Sequence, residues 1–391
     1  MATVEACLGQ MRSDPGNNPI DVIEGLDTAL IYINNLIDHP DNPRYYRIRL
    51  SNINFKERIG HLRHSLSLLD AAGFSIDPND DDFIAVSENA EGVQDFVIRM
   101  RQARIAVLTS KKQLQNEFWD IERLPVDHRW TSVKDAGCFE LQGRRPHMED
   151  DYLLIDSFGH QKSSGLFCCF DGHGGRGAAE FCVRSFPINL ERALSDPNPN
   201  LSINDRIESA FFVTDAQMRR RSILESGATV AVCLIHQESG QRVLYSANVG
   251  DARSVLVKAS NNVYSSRISF DHKPNSTTEM ERVNKAGGFV IGGRVNGVLA
   301  VSRAFGDHHL KPSVSVEPYI SRTALENDDV AVIIACDGVW DVLSDQEAAE
   351  FVAKFVHETE NGRAQRASEA LTQLAYDRGS QDNITAIVVI L

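Results

Sequence analysis

Three short apolar runs in the last two-thirds of the chain each lead into an acidic residue. The runs are rich in valine, isoleucine and cysteine and are bounded by turn-forming residues, a pattern typical of buried strands. The runs and the acidic residues that follow them are 166–170 with Asp171, 243–249 with Asp251, and 330–336 with Asp337. Strands that end in carboxylates can direct hard oxygen ligands at one place, so the pattern constrains both the fold and its chemistry.

Two further acidic positions have a similar setting, Glu149 with Asp150, and Asp382. Acidic residues at strand ends are also common turn formers, and Asp-Gly is itself a turn signal, so any one cluster alone is at least as well explained as a turn. Several carboxylates at one spot repel each other unless divalent cations lie between them. Five such positions together favour a metal site.

The number and spacing of the acidic residues limit the chemistry that such a site can perform. The chain has no calcium-loop pattern, and a glycosidase needs only one pair of carboxylates. Five acidic positions suit two bridged cations about 3.5 to 4 Å apart, an arrangement typical of phosphate-ester hydrolysis. We therefore expect phosphoryl-transfer chemistry.

Length and composition limit the class of protein to which the chain can belong. A chain of 391 residues exceeds the usual single-core range, which predicts two domains. The net charge is −14 with no basic block, which argues against nucleic acid or a membrane surface as the main partner. The seven cysteines fit neither a disulfide framework nor a zinc pattern, and we expect core thiols. With no signal segment or membrane-spanning run, we expect a cytoplasmic or nuclear protein.

The two parts of the chain differ in periodicity. In the first hundred residues apolar side chains recur at helical spacing, in one stripe over 26–37 and a second formed by Leu62, Leu66, Leu69 and Ala72 that ends at Gly73. From Gly137 onward, strands joined by tight turns alternate with helical patterns, which requires antiparallel pairing. The predicted fold class is α+β: a small helical N-terminal domain and a C-terminal two-sheet β-sandwich flanked by helices.

A family resemblance appears in the N-terminal part. It rests on residues 33–36 (INNL), 42–52 (NPRYYRIRLSN) and 73–74 (GF), which in this order resemble the PUB domain; we assign it residues 18–108, followed by a linker at 109–135. The resemblance implies a helical module that binds the C-terminal tail of the ubiquitin-pathway AAA ATPase. It places Asn35, Arg44 and Tyr45 in the peptide groove, where they suit backbone hydrogen bonding, carboxylate pairing and aromatic stacking.

A second resemblance covers residues 136–391. Seven motifs occur in order: 143–150 (GRRPHMED), 170–175 (FDGHGG), 226–229 (SGAT), 247–253 (ANVGDAR), 299–307 (LAVSRAFGD), 335–341 (ACDGVWD) and 380–385 (SQDNIT). Together they resemble the type 2C metal-dependent serine/threonine protein phosphatases. The resemblance implies two Mg²⁺ or Mn²⁺ ions per active site, with a weaker third, and phosphoprotein substrates.

The resemblance also implies a role for each site residue. Asp171 corresponds to the carboxylate that bridges both metals, with Glu149 and the Gly172 carbonyl completing the first site. The remaining metal positions are Asp337 and Asp382 at the second site, Asp251 with Asp337 at the third, and Asp150 holding metal-bound waters. Arg145 corresponds to the phosphate-binding arginine and His173 to the general acid, whereas we expect neighbouring Arg144 to be solvated.

Three functions remain open from the sequence. The leading hypothesis is an active serine/threonine phosphatase delivered to AAA ATPase complexes by its PUB domain. A tyrosine or small-molecule phosphatase is possible because such a site recognises mostly the phosphoryl group. A catalytically silent adaptor with a phosphatase fold is the alternative of a different class, but such a fold has no chemical reason to keep mutually repelling carboxylates.

Overall fold

The computed structural model describes residues 3–40, 42–86, 93–118, 128–221, 223–358 and 362–391. The chain divides into two compact units, Met1–Ile121 and Glu122–Leu391. Within the described ranges, no helix has the length and apolar character needed to cross a membrane.

The first unit is mainly helical, as the sequence predicts. Its helices are α1 (Val4–Ser13), α2 (Pro19–Asp38), α3 (Ile53–Phe55), α4 (Ser65–Ala71) and α5 (Val93–Phe118), and α3 continues as a turn of π-helix at Lys56–Gly60. Helix α2 begins where the side chain of Asn18 accepts the Ile20 N–H and Pro19 occupies the first turn, a strong start signal. The predicted apolar stripe of α2 forms the centre of this core, with Leu26 and Leu36 fully buried.

The second predicted stripe is only partly correct. Helix α4 begins at Ser65, so Leu62 is buried in the turn ahead of it, and Leu66 is 46% exposed instead of facing the core. Leu69 is buried as expected, and Gly73 ends the helix with a φ of +105°, a conformation that favours glycine.

A small antiparallel sheet completes this unit and was not predicted. Its strands are β1 (Arg47–Arg49), β2 (Phe74–Asp77) and β3 (Asp80–Val86), in the order β1-β3-β2. The strands are short and carry many charged residues, and only a few side chains such as Ile48 and Ile84 are buried. The sequence therefore lacks the apolar runs by which strands are recognised.

The segment expected to link the two domains begins in helix. Residues 109–118 form the last turns of α5, and residues 119–127 lie outside the described part of the chain. Beyond them, the backbone N–H groups of Thr131 and Ser132 donate to the carboxylate of Asp156 at 2.8 and 2.9 Å. Ordered structure of the second unit thus includes residues before position 136.

The second unit alternates strands with helices. Its strands are β4 (Asp135–Leu141), β5 (Asp151–Asp156), β6 (Gly165–His173), β7 (Gly227–Glu238), β8 (Gln241–Val249), β9 (Arg253–Ala259), β10 (Val263–Arg267), β11 (Val290–Ile291), β12 (Arg294–Val295), β13 (Phe305–Gly306), β14 (Tyr319–Ala324), β15 (Asp329–Ala335) and β16 (Ile384–Ile390). Its helices are α6 (Gly177–Leu194), α7 (Ile203–Arg220), α8 (Thr277–Lys285), α9 (Asp337–Trp340), α10 (Asp345–Val356) and α11 (Arg363–Asp377).

The strands form two large antiparallel sheets, which confirms the predicted sandwich. One sheet has the order β10-β9-β15-β16-β4, and the other has the order β14-β8-β7-β6-β5, with β13 paired to the start of β7. Ser239 and Gly240, with φ of 50° and 87°, make the tight turn between β7 and β8. Positive φ at both central residues suits the right-handed twist of a two-residue hairpin.

The core lies between the sheets and also beneath the helices. Side chains from both inner faces, such as Phe167, Leu244 and Ile387, form one buried cluster. A second cluster packs the outer face of the β15–β16 sheet against α10 and α11. Central strands are therefore buried on both faces, which explains their nearly continuous apolar runs. All seven cysteines are buried, and none of them forms a disulfide.

Strand direction brings the acidic positions to one end of the sandwich. Because β6 pairs antiparallel with β5 and β7, the end of β6 meets the starts of both neighbours. The ends of β8 and β15 and the start of β16 lie at the same end. This end contains the site.

Candidate metal centre and active site

A cleft of about 390 Å³ opens at this end of the second unit. Its walls include all five of the predicted acidic positions, at Glu149, Asp171, Asp251, Asp337 and Asp382. Oxygen atoms of Asp171, Asp251 and Asp337 all lie within 4.8 Å of one another. The fold therefore brings together carboxylates that are far apart in the sequence.

The carboxylates that line the cleft repel each other strongly. Burial, and then the charges of Asp337 and Asp150, raise the pKa of Asp171 well above its usual value. Burial, and then the charges of Asp251 and Asp341, raise the pKa of Asp337 to about 8. Carboxyl groups in this state require bound protons or cations, and carboxylate oxygens are the ligands that hard divalent cations prefer. The residues therefore fit a divalent metal centre.

Glu149 and Gly172 are held against each other at the cleft wall. A Cβ atom at position 172 would lie 2.3 Å from the carbonyl oxygen of Glu149, so only glycine allows this close approach. The carboxylate of Glu149 accepts a hydrogen bond from the Gly175 N–H at 3.1 Å. The backbone N–H of Glu149 donates to Asn383 Oδ1 at 2.9 Å. The side chain of Asn383 also donates to the carbonyls of Gln142 and His147. The sequence alone indicated no role for Asn383, although it follows Asp382 in the 380–385 motif.

Asp150 lies behind the cleft wall and is only 1% exposed. Its carboxyl group accepts a hydrogen bond from Thr385 Oγ1 at 2.7 Å. Burial is the main cause that raises the pKa of Asp150 to about 7, and the charge of Asp382 adds to it. Asp150 is therefore placed behind the residues that line the cleft, where it can accept hydrogen bonds.

The two adjacent arginines face different partners. Arg145 lines the cleft, and its guanidinium donates to Asp382 Oδ2 at 2.6 Å while 55% of its side chain stays exposed. Arg144 is exposed but is not simply solvated, because it donates to the Ser380 carbonyl and lies 4.7 Å over the ring of Tyr376. Arg144 therefore secures the segment before Asp382, whereas Arg145 is available to an anion in the cleft.

His173 lines the cleft beside Gly172. Its Nε2 atom lies 2.7 Å from Oδ2 of Asp307, a carboxylate that is only 2% exposed. Asp307 ends the 299–307 motif, but no role could be assigned to it from the sequence, because it lies 134 positions from His173 and only strand register brings the two together.

Lys273 and Asp341 are two further charged residues of the site whose roles were not predicted from the sequence. Lys273 lines the cleft and donates to Asp251 Oδ2. Burial would lower the pKa of Lys273, but the charges of Asp251 and Asp337 raise it above its usual value. Burial raises the pKa of Asp341, which lies one turn after Asp337, and Asp251 raises it further. Asp341 is the second aspartate of the 335–341 motif, which was the signal available in the sequence.

A separate groove of about 180 Å³ lies in the first unit. It brings together Asn35, Arg44 and Tyr45, the three residues assigned to a peptide groove. The ring of Tyr45 stacks on His39, with centroids 5.4 Å apart. The groove thus presents an amide, a guanidinium and an aromatic face on one surface.

Comparison with known proteins decides the family. The model of the protein phosphatase 2C family matches residues 134–384. The chain belongs to the protein phosphatase 2C family. It is a metal-dependent serine/threonine protein phosphatase, and the PUB domain model matches residues 21–96 of its helical N-terminal part.

Relatives of this phosphatase carry the same family name. Protein phosphatase 2C homolog 1 of Schizosaccharomyces pombe is 38% identical over 261 residues, which are 65% of this chain and 72% of that protein. Protein phosphatase 2C homolog 1 of Saccharomyces cerevisiae is 34% identical over 261 residues, 63% of this chain and 89% of that protein. The similarity covers a region the length of the phosphatase domain.

Solved structures show the same fold at lower identity. The structure of a Caenorhabditis elegans sex determining protein has a TM-score of 0.61 and 22% identity, covering 95% of this chain and 88% of its own. Serine-threonine phosphatase 2C from Toxoplasma gondii has a TM-score of 0.57 and 21% identity, covering 68% and 96%.

Proposed function

We propose that this phosphatase hydrolyses phosphoserine and phosphothreonine in proteins with two Mg²⁺ or Mn²⁺ ions bound in the cleft, and that its PUB domain recruits it to the ubiquitin-pathway AAA ATPase. The observation that carries the catalytic part is the convergence of Asp171, Asp251 and Asp337 within 4.8 Å. A metal centre accounts for it, because carboxylates so close together, Asp251 buried and the other two half-buried, are otherwise strongly unfavourable.

The ligand roles in this proposal are those that the resemblance to the type 2C phosphatases implies, and the cleft contains the ligand residues that they require. Asp171 would hold both ions, Glu149 and the carbonyl of Gly172 would contribute to one site, and Asp337 with Asp382 would contribute to the other. Asp251 with Asp337 would hold a weaker third ion, and Asp150 would accept hydrogen bonds from metal-bound waters. This donor set of carboxylates and one carbonyl suits Mg²⁺ or Mn²⁺.

Bound divalent ions would lower the pKa of a water molecule and neutralise phosphoryl charge. The protein supplies the rest of the chemistry. Arg145 leaves Asp382 and holds two phosphoryl oxygens with its planar guanidinium. His173 gives a proton to the oxygen of the departing serine or threonine. The thiol of Cys336, beside Asp337, takes no part, since burial, and then the charge of Asp150, raise its pKa well above the usual value.

Metal binding tests the site directly. Equilibrium dialysis of the full chain against Mn²⁺ should give two tightly bound ions and a weaker third, and Asp171→Asn should lose at least one. Asp328→Asn is the matched control, because Asp328 belongs to a second acidic cluster with Glu326 and Asp329 that lies beside Lys258. Equal stoichiometry in Asp171→Asn and the wild type would contradict the bridging role.

The PUB groove is the proposed recruitment site. In this proposal Tyr45 stacks on an aromatic side chain of the ATPase tail, Arg44 pairs with its terminal carboxylate and Asn35 binds its backbone. The cytoplasmic or nuclear location expected from the sequence is part of the same proposal.

Tail binding by calorimetry tests the recruitment proposal. Tyr45→Ala should weaken binding of a tail peptide about tenfold or more, because an aromatic contact and its buried area are lost. Hydrolysis of a phosphothreonine peptide should not change. Tyr264→Ala, which removes an exposed tyrosine of the second unit, is the control. Unchanged tail affinity in Tyr45→Ala would reject the groove assignment.

A further inference from the structure

Strand register brings His173 and Asp307 together across a glycine. At the start of β7, Gly227 pairs with His173 of β6 on one side and with Gly306 of β13 on the other. A Cβ atom at position 227 would lie 2.1 Å from Asp307 Oδ2 and 2.5 Å from His173 Nε2. The hydrogen bond between the two side chains therefore occupies space that any other residue at 227 would fill.

The backbone of Asp307 is held in an unusual conformation. Its φ is +47°, in the left-handed region that non-glycine residues seldom adopt, although aspartate and asparagine are among those that do. The Asp307 N–H donates to the Ser226 carbonyl at 3.2 Å, and the Asp307 carbonyl accepts the Leu310 N–H at 2.8 Å. These backbone hydrogen bonds fix the direction of the buried Asp307 carboxylate, which contacts the ring of His173.

The preceding residue is fixed by a different carboxylate. Asp215 accepts the Gly306 N–H at 2.8 Å and the ammonium group of Lys311 at 2.7 Å. Asp215 thus maintains the backbone around Asp307 and has no contact with the ring of His173 among the described hydrogen bonds and ion pairs.

We propose that Asp307 is the positioning residue of the proposed general acid, fixing the ring of His173 so that Nδ1 faces the oxygen of the departing serine or threonine. The inference rests on the proposed function. A carboxylate only accepts, so the bond at 2.7 Å keeps a proton on Nε2. The other ring nitrogen, Nδ1, is then the atom that carries the transferable proton.

The proton balance of the step is complete. A water oxygen forms the new bond to phosphorus, the bond from phosphorus to the serine or threonine oxygen breaks, and its electron pair stays on that oxygen. This oxygen takes the proton from His173 Nδ1, while the Nε2 proton stays on the hydrogen bond to Asp307. The proton lost by the attacking water returns to Nδ1 through solvent.

Dependence on the leaving group tests this role. Asp307→Asn keeps the shape of the side chain and suits the left-handed backbone, but its amide group can donate to Nε2 and so favour the wrong ring tautomer. We expect turnover of a phosphothreonine peptide to fall about 100-fold, within the range of general acid catalysis. Turnover of p-nitrophenyl phosphate, whose leaving group needs no proton, should fall much less.

Two comparisons separate positioning from a structural effect. Asp215→Asn disturbs the same loop without touching His173, so any loss should be equal for both substrates. In a His173→Ala background, Asp307→Asn should have no further effect on the phosphothreonine peptide, because a residue that acts through His173 has nothing left to position. Equal losses on both substrates for Asp307→Asn, or additive losses in the double variant, would overturn the proposal.

Nitrogen-15 spectra of labelled histidine decide the matter independently of turnover. The neutral ring of His173 should carry its proton on Nε2 in the wild type and lose that preference in Asp307→Asn. A wild-type enzyme without activity but with the Nε2 tautomer would reject the proposed function and retain the orientation by Asp307. A ring without tautomer preference in the wild type would reject the orientation itself.

Discussion

Arg144 and Arg145 are neighbours of one residue type with different surroundings, and they provide a matched pair of variants. Arg145→Ala should lower kcat/KM for a phosphothreonine peptide about 10- to 100-fold, the value of a charged hydrogen-bonding contact to phosphate. Its free energy of unfolding should hardly change, because the side chain is 55% exposed. Steady-state kinetics and denaturant unfolding measure the two effects.

Arg144→Ala should reduce the stability of the protein more than its activity. It removes the hydrogen bond to Ser380 and the contact with Tyr376, so we expect lower stability with a smaller loss of kcat/KM. If the two variants lost the same activity, Arg145 would have no special contact with the phosphoryl group.

The carboxylates predict an unusual pH dependence for the metal-free protein. The pKa values of Asp150 and Asp337 are raised to about 7 and about 8 in the folded state, whereas an unfolded aspartate titrates near pH 3.9. Between these limits the folded state binds more protons than the unfolded state, so stability falls as the pH rises. The Tm in EDTA should therefore drop between pH 5 and pH 8.

Divalent cations should reverse this trend, because they replace the protons. Calorimetry should show that Mn²⁺ raises the Tm more at pH 8 than at pH 5. Asp337→Asn should flatten the pH dependence in EDTA. A metal-free Tm that rises between pH 5 and pH 8 would be inconsistent with crowded, buried carboxylates.

Single residues also show what the sequence could and could not reveal. The five acidic positions were recognisable because each stands at the edge of an apolar run or a specific motif. Lys273 and Asp307 were assigned no role, because their contacts with Asp251 and His173 arise only in the tertiary fold. Arg144 was expected to be solvated for the same reason, since nothing local indicates its contact with Tyr376.

Among the elements, central strands were easier to predict than edge strands. Strands β6, β8 and β15 are buried on both faces, so their apolar runs stand out in the sequence. Strands β1 to β3 of the first unit bury only one narrow face and carry many charges, so tertiary contacts and not local pattern determine them. Strand β13 is two residues long, yet its pairing with β7 places Asp307.

A buried ion pair fastens helix α8 to the segment that leads into β13. Glu279 accepts hydrogen bonds from Arg303 at 2.6 Å, from Ser302 at 2.7 Å and from Arg282 at 2.9 Å. Burial alone would raise the pKa of Glu279, but these hydrogen bonds hold it at about 2. The carboxylate is 1% exposed, so its pairing contributes to stability with little screening by solvent.

Glu279→Gln should therefore destabilise the second unit by about 3 kcal/mol near neutral pH. A depressed pKa adds stability that is fully present above the unfolded pKa of glutamate, near 4.5, and is lost as the pH falls towards 2. The difference between wild type and variant should accordingly shrink below pH 4.5. Denaturant unfolding at several pH values measures it, and a difference independent of pH would exclude the ion pair as its cause.

At the scale of the whole molecule, chemistry and recruitment belong to different units. All residues of the catalytic cleft lie within 145–383, and those of the PUB groove lie within 32–52. Each unit has its own buried core. The sequence revealed this division because helical periodicity gives way to strand runs.

Deletion of residues 1–121 should leave hydrolysis of a short phosphothreonine peptide unchanged and should abolish binding of the tail peptide. Domains with separate cores generally fold alone, and circular dichroism of the fragment checks that this one does. Loss of peptide hydrolysis in a folded fragment would show that the first unit contributes to catalysis.

The most direct measurement is phosphate release from a phosphothreonine peptide by the full chain, with and without millimolar Mn²⁺ or Mg²⁺, beside Asp171→Asn. We predict turnover that requires the metal and falls at least about 1,000-fold in the variant. The metal-free Tm of the variant should not be lowered, because asparagine replaces a carboxyl group whose ionisation is disfavoured at this position. Comparable turnover by Asp171→Asn would contradict the bridging role. No turnover by the wild type with either metal would contradict the enzyme and favour an adaptor.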